Sequence, residues 1–436
     1  MQKKRARANR VLASLALGHK AVLHARPPRP RCTERKTGHA AFFPRLHFHS
    51  LHIMTLTPFP MKVFTSPLCT SMHNPAFEFL SGAETHYYES PNRREAILSY
   101  LEEHPDSFEI TEHVEDFGYD PIKRVHKQDF LDYLETAYEE WILEGGHPNG
   151  VLPGTIPHYK VARLGRLKAA NCLAKSGEYC FDMSAVITKD TFKAAWNAAQ
   201  VTLTATKELV RVGDDYKKSL ADGTVQVASQ PPGIYALVRP PGHHAQSDVC
   251  GGYCFLNNIA IATQWLIDQP DLKGKHGGPK KIAILDIDFH HGNGTQEIFY
   301  TTSNPLYTSL HSVDDYPYFT GSDQECGEGD GLGFNINIPL HGATTDDEYL
   351  EKFEKLIRDH VIPYDADYIL VSLGVDTYKD DPIAGFLLTS EAYPRMGKAI
   401  REIGLPTLFV QEGGYCIEKL GLNVGGILQG FMGKGA

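Results

Sequence analysis

The chain has 436 residues, 42% of them hydrophobic and 22% charged, with a formal net charge of −10. This is the balance of a water-soluble globular protein with one large domain or two smaller ones. No apolar run reaches the ~18 residues of a membrane-spanning helix, which excludes a helical membrane protein.

Residues 1–60 hold twelve Lys/Arg and one acid, Glu34, so the remainder carries 31 basic and 52 acidic side chains, a net of −21. A body this acidic is a poor nucleic-acid binder and an attractor of cations. The first 60 residues are rich in Arg, His and Pro and show no periodicity. They read as a disordered or targeting extension, or as sequence upstream of a start at Met54 or Met61. The prolines from Pro27 to Pro30 weaken the amphipathic helix of a mitochondrial transit peptide. The expected compartment is therefore the cytoplasm and/or the nucleus, and the mitochondrion only if the extension is a transit peptide. Eight cysteines lack any CxxC spacing and read as reduced thiols. Cys250 and Cys254 flank Gly251 and Gly252, and read as buried small hydrophobes in a loop rather than as ligands.

From Met61 to the C-terminus, strand-like and helix-like pieces alternate. Arg93 to His104 has helical spacing after a Ser90-Pro91 start signal, and Phe130 to Leu143 is amphipathic. Gly145 to Lys160 reads as a long loop, of the kind that narrows a site or mediates assembly. Thr191 to Val210 predicts a helix, Gly233 to Val238 a strand, and Asn257 to Ile267 a helix. Ile282 to Ile287 is a short apolar run, the signature of a buried parallel strand. Leu306–Leu310, Gly333–Ile338, Tyr368–Leu373 and Thr407–Val410 are further strands, alternating with helices over Glu348–His360 and Ser390–Ile403. The pattern predicts an α/β domain over 61–436: a single doubly wound, mostly parallel sheet flanked by helices.

Chemistry collects where these strands end. Asp286, Asp288, His290 and His291 follow the apolar run at 282, and Gly292, Asn293 and Gly294 break the strand. His243 and His244 follow the strand at 233, Asp376 the strand at 368, and Tyr415 the strand at 407. Singly, each has a plain explanation: a loop coincidence, a helix cap, a turn. Together they lie at the strand ends where open α/β sheets bind ligands. Asp288, His290 and Asp376 supply three ligands and leave positions open, as catalytic zinc requires. His243 and His244 are then the general base and acid, Tyr415 an oxyanion donor, and Asp286 and Asn293 partners that orient the imidazoles.

RPPGHHA, GGYCFLNN, DIDFHHGNGTQ, SLGVDTYKDDP and QEGGY resemble the histone deacetylase superfamily, which has the arginase/deacetylase fold. The C-terminal third is most similar to acetylpolyamine amidohydrolases. The resemblance implies a Zn²⁺ on Asp288, His290 and Asp376, with His243 as base and His244 as electrostatic partner and proton donor. It also implies a structural K⁺ or Na⁺ at Asp286, Asp288, His290, Ser309 and Leu310. Gly252, Tyr253 and Tyr316 fall in the acyl-lysine tunnel. Asn293 stands where nuclear enzymes carry Asp, as in class II-like deacetylases, and a neutral partner leaves its histidine less basic. Leu173 or Ala174 falls where polyamine enzymes place an acidic specificity residue. The surrounding run is basic (Arg163, Arg166, Lys168, Lys175), which counts against a cationic substrate.

The expected activity is therefore zinc-dependent removal of acetyl groups from an acetylated polyamine or from acetyl-lysine. A homodimer interface over the 145–177 loop would narrow the tunnel and favour the thinner substrate. Alternatives are a lysine deacetylase acting on chromatin and an inactive scaffold with the same fold. An arginase-like enzyme with two metals lacks a ligand, because Tyr378 stands where a further Asp is required.

Overall fold

The computed structural model of the chain describes residues 60–158, 169, 171–221, 230–270 and 272–434, to which all structural statements refer. The first 59 residues and the side chains of Arg163, Arg166 and Lys168 lie outside them. Ten strands occur among the described residues: β1 (Met61–Thr65), β2 (Glu78–Leu80), β3 (Ala83–Thr85), β4 (Phe108–Thr111), β5 (Gly233–Leu237), β6 (Ile282–Asp286), β7 (Leu306–Ser312), β8 (Asn335–Leu340), β9 (Tyr368–Leu373) and β10 (Thr407–Gln411). Strands β2 and β3 form a separate antiparallel hairpin. The other eight form one sheet in the order β4-β1-β5-β10-β9-β6-β7-β8, parallel at every pairing.

All-parallel strands need helices on both faces, so the central strands read as near-continuous apolar runs rather than alternating. In β6 every residue is buried. Ala283 and Leu285 join one hydrophobic cluster while Ile282 and Ile284 join another, one on each side of the sheet. The same division places Ile369, Val371 and Leu373 of β9 in the first cluster and Tyr368 and Leu370 in the second. Strands β5, β10, β9 and β6 are consecutive neighbours at the centre of the sheet. The segments carrying His243, Tyr415, Asp376 and Asp288 each leave one of these four. Topology alone therefore brings them to one edge.

Two features depart from the sequence-based expectation. The helix predicted over 191–210 runs on to Ala221. A helix over Ile417–Met432, with Gly421, Gly425, Gly426 and Gly430 in it, stands where the sequence reading assigns no element. These glycines permit contact: a Cβ at Gly425 would lie 1.9 Å from the Tyr100 ring, and one at Gly430 2.2 Å from the Pro394 carbonyl. Among the described residues, thiols are free at Cys69, Cys172, Cys180, Cys250, Cys254 and Cys416. No described helix is long and apolar enough to cross a membrane.

Candidate active site

Just past β6 the backbone turns so that Asp288 and His290 face the segment after β9. The Asp288 carboxylate accepts the His290 N–H at 2.8 Å on Oδ1 and the Gly413 N–H at 2.8 Å on Oδ2. Asp376 Oδ1 accepts the Phe289 N–H at 2.9 Å. These bonds lock both carboxylates and turn them towards the imidazole. His290 Nδ1 lies 3.0 Å from Asp376 Oδ2 and 3.3 Å from Asp288 Oδ1. One donor atom from each of the three buried residues falls within 4.8 Å of the others. The surrounding backbone is closely drawn in. A Cβ at Gly374 would lie 2.0 Å from Asp288 Oδ2, and one at Gly413 2.4 Å from Asp376 Oδ2. Two carboxylate oxygens and one imidazole nitrogen, buried and converging, fit a divalent cation such as Zn²⁺.

The electrostatics point the same way. Burial disfavours a charged His290, but its bonds to Asp288 and Asp376 outweigh that and raise it to about 10. Asp376 is raised, first by burial and then by the Asp288 charge. Asp288 is held low despite burial, because the His243 and His290 charges attract it. A cation held there would take the place of the imidazole proton and offset the charge of both carboxylates.

The two neighbouring histidines sit in different surroundings, with ring centroids 4.0 Å apart. His243 Nδ1 lies 3.1 Å from Asp286 Oδ2, and its Nε2 lies 3.8 Å from Asp288 Oδ1. Burial opposes its charge, but the Asp288 and Asp286 carboxylates prevail and raise it to about 10. His244 Nδ1 meets the Asn293 side-chain oxygen at 2.7 Å. Burial, then the His243 and His290 charges, push its pKa well down. Asp286 thus faces the His243 imidazole and Asn293 that of His244. Glu412, missed from sequence, accepts the Gly242 and His243 N–H groups at 2.7 and 3.1 Å and fixes the turn that presents the pair.

Tyr415 is buried beside Tyr253, with ring centroids 5.7 Å apart. Gly252 adopts φ +54°, and a Cβ there would lie 2.3 Å from the His244 ring, so the position requires glycine. Tyr316 stands edge-on to His244 at 4.9 Å and to His290 at 6.0 Å. Gly252 and Tyr316 therefore stand against the His244 ring, while Tyr253 stands beside Tyr415. Behind them are two acids that carried no signal in the sequence. Glu78 Oε1 accepts the Tyr253 hydroxyl at 3.1 Å, and Asp182 Oδ2 accepts the Tyr316 hydroxyl at 2.7 Å. Burial raises Glu78 to about 7. Register pairs Asp286 with Ser309, which puts Ser309 and Leu310 beside the end of β6. The Ser309 hydroxyl itself meets His311 Nδ1 at 2.9 Å. Leu173 is exposed, while Lys175 pairs with Glu140 at 3.0 Å, so its positive charge is partly balanced.

The histone deacetylase domain family matches residues 87–431. Two acetylpolyamine amidohydrolases of Pseudomonas aeruginosa are 39% and 40% identical, each alignment covering 83% of this chain and 96% of the relative. The crystal structure of an acetylpolyamine aminohydrolase from Burkholderia pseudomallei superposes with a TM-score of 0.73 at 32% identity, covering 85% of this chain and 98% of that one. With the eight-stranded parallel sheet and the convergence of buried ligand-type residues at its edge, these likenesses establish the family. The chain belongs to the histone deacetylase superfamily, on the side of the acetylpolyamine amidohydrolases.

Proposed function

We propose that the chain hydrolyses the acetyl amide of acetylated polyamines, using one Zn²⁺ held by Asp288, His290 and Asp376. The observation that carries this reading is the convergence of those three buried donors within 4.8 Å, beside His243 and His244. A divalent ion bound there polarises an amide carbonyl and acidifies a water molecule.

The protein's own groups do the rest. The Asn293 oxygen receives the proton on His244 Nδ1, which leaves the Nε2 lone pair free to accept a proton from the attacking water. The same nitrogen then returns that proton to the departing amine. His243, set between two carboxylates, keeps its proton and stabilises developing negative charge. This division is the opposite of the sequence-based expectation, which made His243 the base. Tyr415 donates its hydroxyl to the oxyanion. Tyr253 and Tyr316 wall an extended chain, and the acids behind them, Glu78 and Asp182, favour one that is cationic. A K⁺ or Na⁺ at Asp286, Asp288, His290, Ser309 and Leu310 belongs to the same proposal, supported by the β6–β7 register.

Steady-state kinetics of zinc-loaded protein on acetylputrescine, acetylspermidine and acetyl-lysine peptides test it. The polyamines should lead in kcat/KM by at least about tenfold, the scale of one well-placed polar contact. Turnover of the peptides alone would make the chain a lysine deacetylase, and turnover of none would refute the enzyme reading.

A further inference from the structure

The segment that carries Tyr415 has little rigidity of its own. It follows Gly413 and Gly414, the latter at φ +119°, and precedes the helix that begins at Ile417. Two buried charges from elsewhere in the fold hold it from opposite sides. Arg93, ion-paired to Glu89 at 2.7 Å, donates Nε–H to the Gly414 carbonyl at 2.7 Å and a further N–H to the Glu412 carbonyl. Its guanidinium lies 4.8 Å from the Tyr415 ring centroid. Asp381 takes the N–H groups: Oδ2 accepts from Tyr415 at 2.7 Å and from Cys416 at 3.2 Å, and Oδ1 from Ile383 at 3.2 Å. Asp381 is buried and lies outside both clusters of ligand-type residues. A carboxylate withdrawn from water is costly, and its three backbone donors include the phenol-bearing residue itself.

We propose that Asp381 is a positioning residue for Tyr415: by gripping the Tyr415 and Cys416 amides it sets the phenol where the oxyanion develops. The inference rests on the amidohydrolase reading above. Carbonyls held by a cation on one side and amides held by an anion on the other leave the ring one pose. An oxyanion donor misplaced by about 1 Å loses most of its effect.

A double-mutant cycle tests it on full-length zinc-loaded protein with acetylputrescine. Asp381→Asn should lower kcat by about 10-fold to 100-fold while KM and zinc content stay within about twofold of wild type. In the Tyr415→Phe background the same change should cost less than about twofold, since the group it acts through is already gone. Asp381→Glu, which keeps the charge but shifts the acceptor, provides the same cycle if the asparagine variant does not fold. An equal fold-loss in both backgrounds, or an unchanged kcat in Asp381→Asn, overturns the inference. An inactive wild-type protein would instead refute the amidohydrolase reading on which it rests.

Discussion

At the scale of the residue, the account turns on where protons and hydroxyls stand. On the proposed mechanism Tyr415→Phe removes one oxyanion donor and nothing else, because the ring and its Arg93 contact remain. The expected result is a kcat lower by about 10²–10³ with zinc content unchanged, read by steady-state kinetics and metal analysis. An equally active variant would remove the phenol from the chemistry. Asp288, His290, Asp376 and the histidine pair were legible in the sequence, because charged residues rarely sit directly beyond an apolar strand without a task. Asp381, Glu412 and Glu78 were not. Nothing local marks these acids for burial, and only the fold reveals that the three are buried against backbone or phenolic donors.

At the scale of the element, β6, β9 and β10 were legible because a strand buried on both faces reads as a near-continuous apolar run. The Ile417–Met432 helix, to which the sequence reading assigns no element, carries glycines whose purpose is packing rather than conformation. Gly397, on the partner helix Ala392–Glu402, makes the point testable. Alanine in a helix interior ordinarily stabilises by about 1 kcal/mol relative to glycine. Here its Cβ would lie 2.0 Å from the Ile427 carbonyl and 2.8 Å from the Phe431 nitrogen, so one helix must move. Overpacking costs about 1–3 kcal/mol and outweighs the propensity gain. Gly397→Ala should therefore lower the urea midpoint. A raised midpoint would mean that the helices are not in close contact.

At the scale of the whole molecule, five described histidines, His73, His126, His244, His291 and His311, are buried, and burial drives each below its ordinary range. His126 illustrates the sign. It accepts the Asn257 N–H at 2.9 Å and meets the Gln246 carbonyl at 3.0 Å, and it titrates at about 4 when folded. An unfolded histidine binds its proton near 6.5. Its contribution is thus fully present above about pH 6.5 and is lost as pH falls towards 4, on the order of 3 kcal/mol. Glu78, Glu412 and Asp381, raised to about 7, titrate in the opposite sense, so the effect is read as a difference. The stability gap between wild type and His126→Gln should shrink across that window in pH-dependent denaturation. A constant gap would show that His126 charges freely in the folded state.

Fold class followed from the alternation of strands and helices. Which four strands stand together at the centre did not, since sheet order depends on crossovers that leave no local trace. That order is what brings four separate segments to one edge of the sheet. Zinc titration of metal-stripped protein, read by elemental analysis after gel filtration and paired with an acetylputrescine assay, tests the zinc proposed there most directly. One zinc per chain should restore activity, and Asp288→Ala, His290→Ala and Asp376→Ala should each lose both metal and turnover. Full turnover by the stripped protein, or undiminished zinc in all three variants, would contradict it.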